Sequence, residues 1–148
     1  MEYCVRASGV LRLLFVIVGV SAFVSGCSDS PTAPSIDSYS QSDLTVGTGT
    51  EATATSTVTV EYTGWFFDGT KTDKKGLLFD TNVGGIPFVV ALGTGTIIQG
   101  WEKGVPGMRV GGKRRLVIPP SLAYGPNRSG PIPPNATLVF DIELFDVK

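Results

Sequence analysis

Two long segments of this chain alternate between apolar and polar residues, and they restrict the possible folds more than any other feature. The first segment runs from Thr57 to Phe67 and the second from Ala136 to Val147. A period of two predicts a half-buried strand whose apolar side chains face a core. The predicted core-facing residues are Val58, Val60 and Tyr62 in the first strand, and Leu138, Phe140, Ile142 and Leu144 in the second.

Two shorter apolar runs predict further strands. Phe88–Leu92 ends at a glycine, and Gly112–Ile118 is stopped by two prolines. The second run begins with three basic residues, Lys113, Arg114 and Arg115, which we interpret as a solvated strand end. The chain contains 19 Gly and 10 Pro, which favours short strands joined by turns.

Only one segment has the pattern of a helix. Thr96 and Gln99 have the spacing of a capping box, and Pro106-Gly107 would end the helix. Its predicted apolar side consists of Ile97, Ile98, Trp101 and Val105. Several antiparallel strands with one short helix predict an α+β architecture, in which a twisted sheet packs on the helix.

The beginning of the chain has the pattern of an export signal. Arg6 and Arg12 precede an apolar run of 12 residues, Leu13–Val24, which is too short to span a bilayer as a helix. The run ends in Val24-Ser25-Gly26-Cys27, which resembles the lipobox of bacterial lipoproteins. The resemblance implies that residues 1–26 are a lipoprotein signal peptide and that Cys27 carries a lipid. We therefore expect a protein anchored in the bacterial cell envelope, facing the periplasm or the outside.

The composition of the next segment changes to Ser and Pro. Residues 27–42 are predicted to be the lipidated Cys followed by a flexible linker, because this stretch holds too few apolar residues to fold. The folded domain is predicted to cover residues 43–148. Cys4 is then removed with the signal peptide and Cys27 carries the lipid, so we expect no disulfide.

The charge and the missing residue types exclude several classes of function. The chain has no His, which excludes Ser-His and Cys-His nucleophile pairs, His-ligated metals and an imidazole general base. Its 12 Lys+Arg and 13 Asp+Glu give a net charge of −1, which provides no basic footprint for nucleic acid. We therefore expect neither a nucleic-acid partner nor a His-based active site.

Five short blocks occur in a fixed order within the predicted domain. They are Val60-Glu61-Tyr62-Thr63-Gly64, Phe79-Asp80, Ile97-Ile98-Gln99-Gly100-Trp101-Glu102, Ala123-Tyr124-Gly125 and Ile132-Pro133-Pro134-Asn135-Ala136-Thr137-Leu138-Val139-Phe140-Asp141. Together they resemble the FKBP-type peptidyl-prolyl cis-trans isomerases over the whole domain. The resemblance implies the fold of that family, a five-stranded antiparallel sheet wrapped around one short helix.

The resemblance also implies a site, namely an apolar pocket between helix and sheet with Trp101 as its floor. It implies that the Ile98 backbone N–H and the Tyr124 hydroxyl donate to substrate carbonyls, and that Asp80 lies at the rim. Those four residues are the implied catalytic set. The implied substrate-binding walls are Tyr62, Phe79, Phe88, Ile97, Ile132 and Phe140.

The implied reaction is the isomerisation of X-Pro bonds in exported or envelope proteins, which assists their folding. Rotation about this bond breaks no covalent bond, so no nucleophile, metal or cofactor is expected. Proline-containing polypeptides and macrolide inhibitors are the implied ligands, and we expect a monomer. The alternative is a binding or chaperone module of the same fold with little turnover. The complete set of pocket residues favours the enzyme.

The residue pattern alone supports a plainer interpretation of the same positions. Tyr62, Phe88 and Phe140 fit core positions, Trp101 fits a packing residue between helix and sheet, and Asp80 fits a turn cap. Only the block match assigns them to a site.

Three departures from the family pattern affect that site. Residues Thr70–Leu77 have the character of an exposed insertion, and no Arg follows Asp80 where the family usually has one. The orientation of Asp80 is therefore left open. The loop Pro126–Pro131 is about one residue short and carries Arg128 and Gly130-Pro131, which could change the substrate preference beside proline.

Overall fold

A computed structural model describes residue 36 and residues 38–148 of the chain. Cys27 and the predicted signal and most of the predicted linker lie outside the described residues. The strands are β1 (Ser40–Thr45), β2 (Thr57–Phe67), β3 (Lys75–Thr81), β4 (Phe88–Ala91), β5 (Lys113–Ile118) and β6 (Leu138–Val147). The helix α1 spans Gln99–Gly104, and a short 3₁₀ helix covers Pro120–Leu122. Within the described part of the chain, no helix is long and apolar enough to cross a membrane.

All strands belong to one antiparallel sheet with the order β1-β5-β6-β2-β3, and β4 also pairs with β2. The α+β prediction is thus confirmed, with six strands where five were expected. The number differs because β3 and β4 pair with successive parts of the same edge of β2. Thr63 and the residues after it pair with β3, whereas Thr57–Val60 pair with β4.

The core lies between the concave face of the sheet and α1. The predicted inward-facing residues of β2 and β6 are buried there, except that Tyr62 is only half buried because it lies at the edge of a cavity. Gly100 and Gly104 allow α1 to lie directly on β5. A Cβ atom on Gly100 would collide with the Ile118 side chain, and one on Gly104 would lie 2.6 Å from a methyl group of Leu116.

The start of α1 differs from the capping-box prediction. The helix begins at Gln99, its N-cap is Ile98, and no side chain caps it. The Thr96 hydroxyl instead shares a hydrogen bond with Thr94 (2.9 Å). The loop before the helix is held by Glu102, whose carboxylate accepts the backbone N–H groups of Gly93 (2.5 Å) and Gly95 (3.3 Å).

The basic residues at the start of β5 are not the solvated strand end that we predicted. Arg114 is buried and donates to both carboxylate oxygens of Asp43 and to the carbonyls of Gly104 and Pro106. It thus ties β1 to the end of α1. Lys113 alone fits the prediction, since its ion pair with a Glu is exposed.

The third basic residue, Arg115, lies on the convex face of the sheet. It donates to the Asp141 carboxylate at 2.7 and 2.9 Å, and Lys75 donates to the same carboxylate at 2.6 Å. Lys75 also lies 4.0 Å above the Trp65 ring. Lys75 belongs to the predicted insertion, so the end of that segment is the first part of β3 and only residues before Lys75 form an exposed turn.

The structured part begins before residue 43. Strand β1 begins at Ser40, the Ile36 N–H donates to the Thr137 hydroxyl (2.9 Å), and the Tyr39 ring lies under the Lys103 ammonium group (4.8 Å).

Candidate active site

One cavity of about 740 Å³ opens between α1, the concave face of the sheet and the loop after the 3₁₀ helix. Every residue that the sequence assigned to the pocket lines it: Tyr62, Phe79, Asp80, Phe88, Ile97, Ile98, Trp101, Tyr124, Ile132 and Phe140. The cavity is also lined by Thr96, Ala123, Ser129, Gly130 and Pro131, which the sequence analysis did not name as site residues. Thr96 and Ala123 each adjoin a residue that was assigned to the pocket, and the other three lie in the loop Pro126–Pro131. Only this adjacency along the sequence could have predicted them.

Trp101 forms the floor of the cavity. Only 4% of its surface is exposed, and the rings of Tyr62 and Phe140 meet it edge-on at 5.2 and 5.4 Å between centroids. Phe88 meets it in the same way at 6.3 Å. Edge-to-face contacts place the positive edge of one ring on the negative face of another, which stabilises such a cluster beyond its buried area. Among the described residues, the buried indole N–H has no hydrogen-bond acceptor.

Gly64 in β2 leaves room for the rings of Phe79 and Phe140, which form one wall of the cavity. A Cβ atom there would lie 2.7 Å from the Phe79 ring and 2.9 Å from the Phe140 ring. Without it, these two rings meet edge-on at 5.6 Å across the strand. Gly64 is therefore required for the wall to close, since any side chain would displace both rings.

The carboxylate at the rim is oriented by a tyrosine. The Tyr62 hydroxyl donates to Asp80 Oδ2 at 2.7 Å. Burial of the phenol and this hydrogen bond raise the pKa of Tyr62 to about 12, so the hydroxyl remains a donor at neutral pH. The sequence left the orientation of Asp80 open because the usual Arg is missing, and the structure provides this hydrogen bond from Tyr62.

Two hydrogen-bond donors flank the cavity on the helix side and the loop side. Ile98 is the N-cap of α1, and the first hydrogen bond to its carbonyl comes from the Trp101 N–H (3.0 Å). The N–H of Ile98 precedes the helix, so the helix itself has no acceptor for it. Tyr124 is 37% exposed and lies in a loop held by bonds from Gly125 N–H to the Pro120 carbonyl and from Asn135 N–H to the Gly125 carbonyl.

These features suit an apolar ligand that carries carbonyl groups. Aromatic and aliphatic side chains provide most of the lining, while a carboxylate, a phenol and a backbone N–H stand at the edges. Among the described residues there is no cluster of His, Cys, Asp and Glu that could hold a metal ion.

Comparison with known proteins decides the family. The profile of FKBP-type peptidyl-prolyl cis-trans isomerase matches residues 48–145, which is nearly the whole structured domain. The chain belongs to this family.

Relatives of very different lengths share this isomerase domain. The FK506-binding protein of Neisseria meningitidis serogroup B is 44% identical over 106 residues, covering 71% of this chain and 92% of that protein. FK506-binding protein 1 of Gibberella zeae is 48% identical over 104 residues, covering 68% and 90%. The chain spans only 20% of Arabidopsis thaliana FKBP53, to which it is 48% identical over 101 residues, or 68% of this chain.

Solved FKBP structures have the same fold. The crystal structure of FkpA from Escherichia coli is 40% identical with a TM-score of 0.62, and the match covers 74% of this chain and 48% of that one. The crystal structure of AtFKBP13 is 33% identical, also with a TM-score of 0.62, and the match covers 78% and 98%.

Proposed function

We propose that this FKBP-type isomerase acts on X-Pro bonds of exported polypeptides at the bacterial cell envelope, where a lipid on Cys27 holds it to a membrane. The support for the location is the sequence Val24-Ser25-Gly26-Cys27 directly after a short apolar run. Several acyl chains on one residue anchor a protein far more stably than the single chain that binds marginally. The enzyme would then assist the folding of chains that emerge beside it.

The observation that carries the catalytic part of the proposal is that all predicted site residues line one cavity. An X-Pro bond rotates over a barrier of about 18–20 kcal/mol because amide resonance must be broken. The planar amide is more charge-separated than the twisted one. Aromatic side chains solvate that charge separation less well than bulk water does, so the cavity disfavours the ground state relative to the transition state. Lowering the barrier by about 5–7 kcal/mol would accelerate rotation roughly 10⁴- to 10⁵-fold.

We assign the polar groups at the cavity edges to holding the substrate. The Ile98 N–H and the Tyr124 hydroxyl donate to carbonyl groups on either side of the rotating bond, and donors fixed in place stabilise the twisted form without reorganising. In this proposal the carbonyl of the rotating amide turns beside the Asp80 carboxylate, which accepts the Tyr62 hydroxyl. The proline ring rests on Trp101.

Macrolide binding is a further part of the proposal. The relatives from Neisseria and Gibberella are named FK506-binding proteins. A cavity of about 740 Å³ is of the size that encloses drug-sized ligands. Because Gly130 and Pro131 form part of the lining, the short loop would contact the ligand directly.

Two assays on the full chain test these assignments separately. An exchange-NMR assay with X-Pro peptides tests turnover, and its inhibition by FK506 tests whether the same cavity binds the macrolide. A folded protein that binds unfolded chains without accelerating exchange would favour the binding-module alternative. Membrane fractionation of the parent and of Cys27→Ser tests the anchor.

A further inference from the structure

The edge of β2 that faces β3 and β4 contains a gap beneath the candidate active site. Strand β4 pairs with Thr57–Val60, and β3 begins to pair at Thr63. Between them, Tyr62 has no residue of either strand opposite it in the ladder. A backbone N–H or C=O without a partner at such a position costs free energy and leaves the strand free to shift.

Asn82 fills this gap with its side chain. Its Oδ1 accepts the Tyr62 N–H at 2.7 Å, and its Nδ2 donates to the Val60 carbonyl at 3.2 Å. The Asn82 backbone N–H donates to the Tyr62 carbonyl at 3.2 Å. The amide group thus makes the two bonds that a strand residue would make. The Tyr62 carbonyl has a second donor in the Thr81 hydroxyl (3.1 Å), whereas the Tyr62 N–H has only Asn82 among the described residues.

The same side chain holds the turn between β3 and β4. Asn82 Nδ2 also donates to the Ile86 carbonyl at 3.2 Å, and the Gly85 N–H donates to the Asn82 carbonyl at 2.9 Å. Burial does not hold this turn, because the side chains of Val83 and Ile86 are 60% and 89% exposed. Hydrogen bonds of Asn82, together with the bond from the Val83 N–H to the Thr81 hydroxyl (3.3 Å), therefore fix the path of the chain between β3 and β4.

We propose that Asn82 is a positioning residue for the isomerase site, which holds the backbone of Tyr62 so that the Tyr62 hydroxyl stays on Asp80. This inference rests on the proposed assignment of Tyr62 and Asp80 to the site. Tyr62 connects the two regions, since its backbone bonds to Asn82 and its ring contacts Trp101 and Phe88. A displacement of its backbone moves both the aromatic wall and the carboxylate.

The test compares Asn82→Ala, which removes three side-chain hydrogen bonds, with a control that removes two such bonds at the other end of β2. In the control, Ser56→Ala removes the hydroxyl that accepts the Thr53 N–H (3.1 Å) and shares a hydrogen bond with the Thr53 hydroxyl (2.9 Å). For each full-length variant, kcat/KM on an Ala-Leu-Pro-Phe peptide is measured well below its melting temperature. We expect Asn82→Ala to lose roughly tenfold, because small misplacements of reacting groups cost up to about 100-fold. Ser56→Ala keeps the parental value.

A conservative variant and an NMR signal separate positioning from general destabilisation. Asn82→Asp keeps an acceptor for the Tyr62 N–H and should retain more activity than Asn82→Ala. The Tyr62 ring signals, which three neighbouring aromatic rings shift, should move in Asn82→Ala and stay in place in Ser56→Ala.

Three results overturn the inference: a folded Asn82→Ala with parental kcat/KM, an equal loss in Ser56→Ala, or unchanged Tyr62 ring signals. If Asn82→Ala does not fold, an Asn82→Asp variant overturns the inference in either of two ways: it folds and loses activity while its Tyr62 ring signals stay in place, or those signals move while kcat/KM stays parental. An inactive parent protein refutes the proposed function instead, so the two failures are distinguishable.

Discussion

The ion cluster on the convex face of the sheet provides a quantitative test of how the domain is stabilised. Asp141 is 6% exposed and accepts three hydrogen bonds, two from Arg115 and one from Lys75. Burial alone would raise the pKa of Asp141, but the hydrogen bonds and charges of Arg115 and Lys75 outweigh it and hold the pKa below its ordinary value. The carboxylate is therefore ionised at neutral pH, and its loss would leave two cations facing each other.

The substitution Asp141→Asn removes this charge at nearly constant volume. Removing one partner of a buried ion pair costs about 3–5 kcal/mol. The side chains of Lys75 and Arg115 are 20% and 19% exposed and can partly rehydrate, which lowers the expected loss to about 2–4 kcal/mol. With an m-value of about 1.5 kcal/mol/M, the urea midpoint should fall by about 1.3–2.7 M.

The assay is urea unfolding followed by tryptophan fluorescence, with Glu143→Gln as the matched control. Glu143 lies two positions along the same strand, and its ion pair with Lys113 is 3.5 Å long with both side chains about two-fifths exposed. We expect that variant to lose less than about 0.5 kcal/mol. Activity should change little in either variant, because both side chains lie on the face opposite the cavity.

The free energy of unfolding that Asp141 contributes should depend on pH. Because the folded pKa of Asp141 lies below its unfolded value, the contribution is complete above the unfolded pKa and is lost as pH falls through the folded one. The difference between parent and Asp141→Asn should therefore shrink below about pH 4. A difference under about 0.5 kcal/mol at pH 7, or one that persists unchanged in strong acid, would show that the ionised Asp141 does not stabilise the fold in this way.

The remaining predictions concern the pocket and the anchor. Trp101→Ala should lower both activity and the free energy of unfolding, the latter by about 3–5 kcal/mol in a denaturation curve, because the floor is also core. Tyr124→Phe should keep the melting temperature and lose about 2- to 13-fold in kcat/KM, the worth of one hydrogen bond of ~0.5–1.5 kcal/mol; parental activity would show that the hydroxyl is not used. The rate enhancement should be flat between about pH 6 and 8, since the chain has no His; a bell-shaped profile would contradict this mechanism. Cys27→Ser should move the folded protein out of the membrane fraction, and unchanged association would show that the lipobox interpretation is wrong.

The sequence predicted those strands whose side chains alternate or form apolar runs. The bounds of β2 are as expected, and β4, β5 and β6 differ by at most two residues at an end. Strand β1 escaped detection because its residues are all exposed, so it has no apolar period. Its stability comes from pairing with β5 and from the bond between Asp43 and Arg114, which are 71 positions apart in the chain.

Contacts between residues that are distant in the chain also decide the burial of the charged residues and the arrangement of the loops at the site. Strand alternation places Arg114 on the same face as Leu116 and Ile118, but it cannot show that a guanidinium group is buried there. The partners of Arg114 come from β1 and from the end of α1, which the local sequence does not reveal. The family blocks predicted the named cavity residues, since aromatic identity and order along the chain carry that information. They could not show that Tyr62 orients Asp80 or that Asn82 bridges two strands, because these contacts depend on the register of β3 and β4 with β2.

Exchange NMR on a panel of X-Pro peptides, with the full chain and with Tyr62→Phe, tests directly whether the cavity accelerates isomerisation. We expect a bound peptide to exchange between cis and trans roughly 10⁴- to 10⁵-fold faster than a free one. Tyr62→Phe should stay folded and lose activity, because the Asp80 carboxylate then loses its only hydrogen bond among the described residues. A folded parent protein that binds these peptides without accelerating their exchange would show that the cavity binds them but is not an isomerase site.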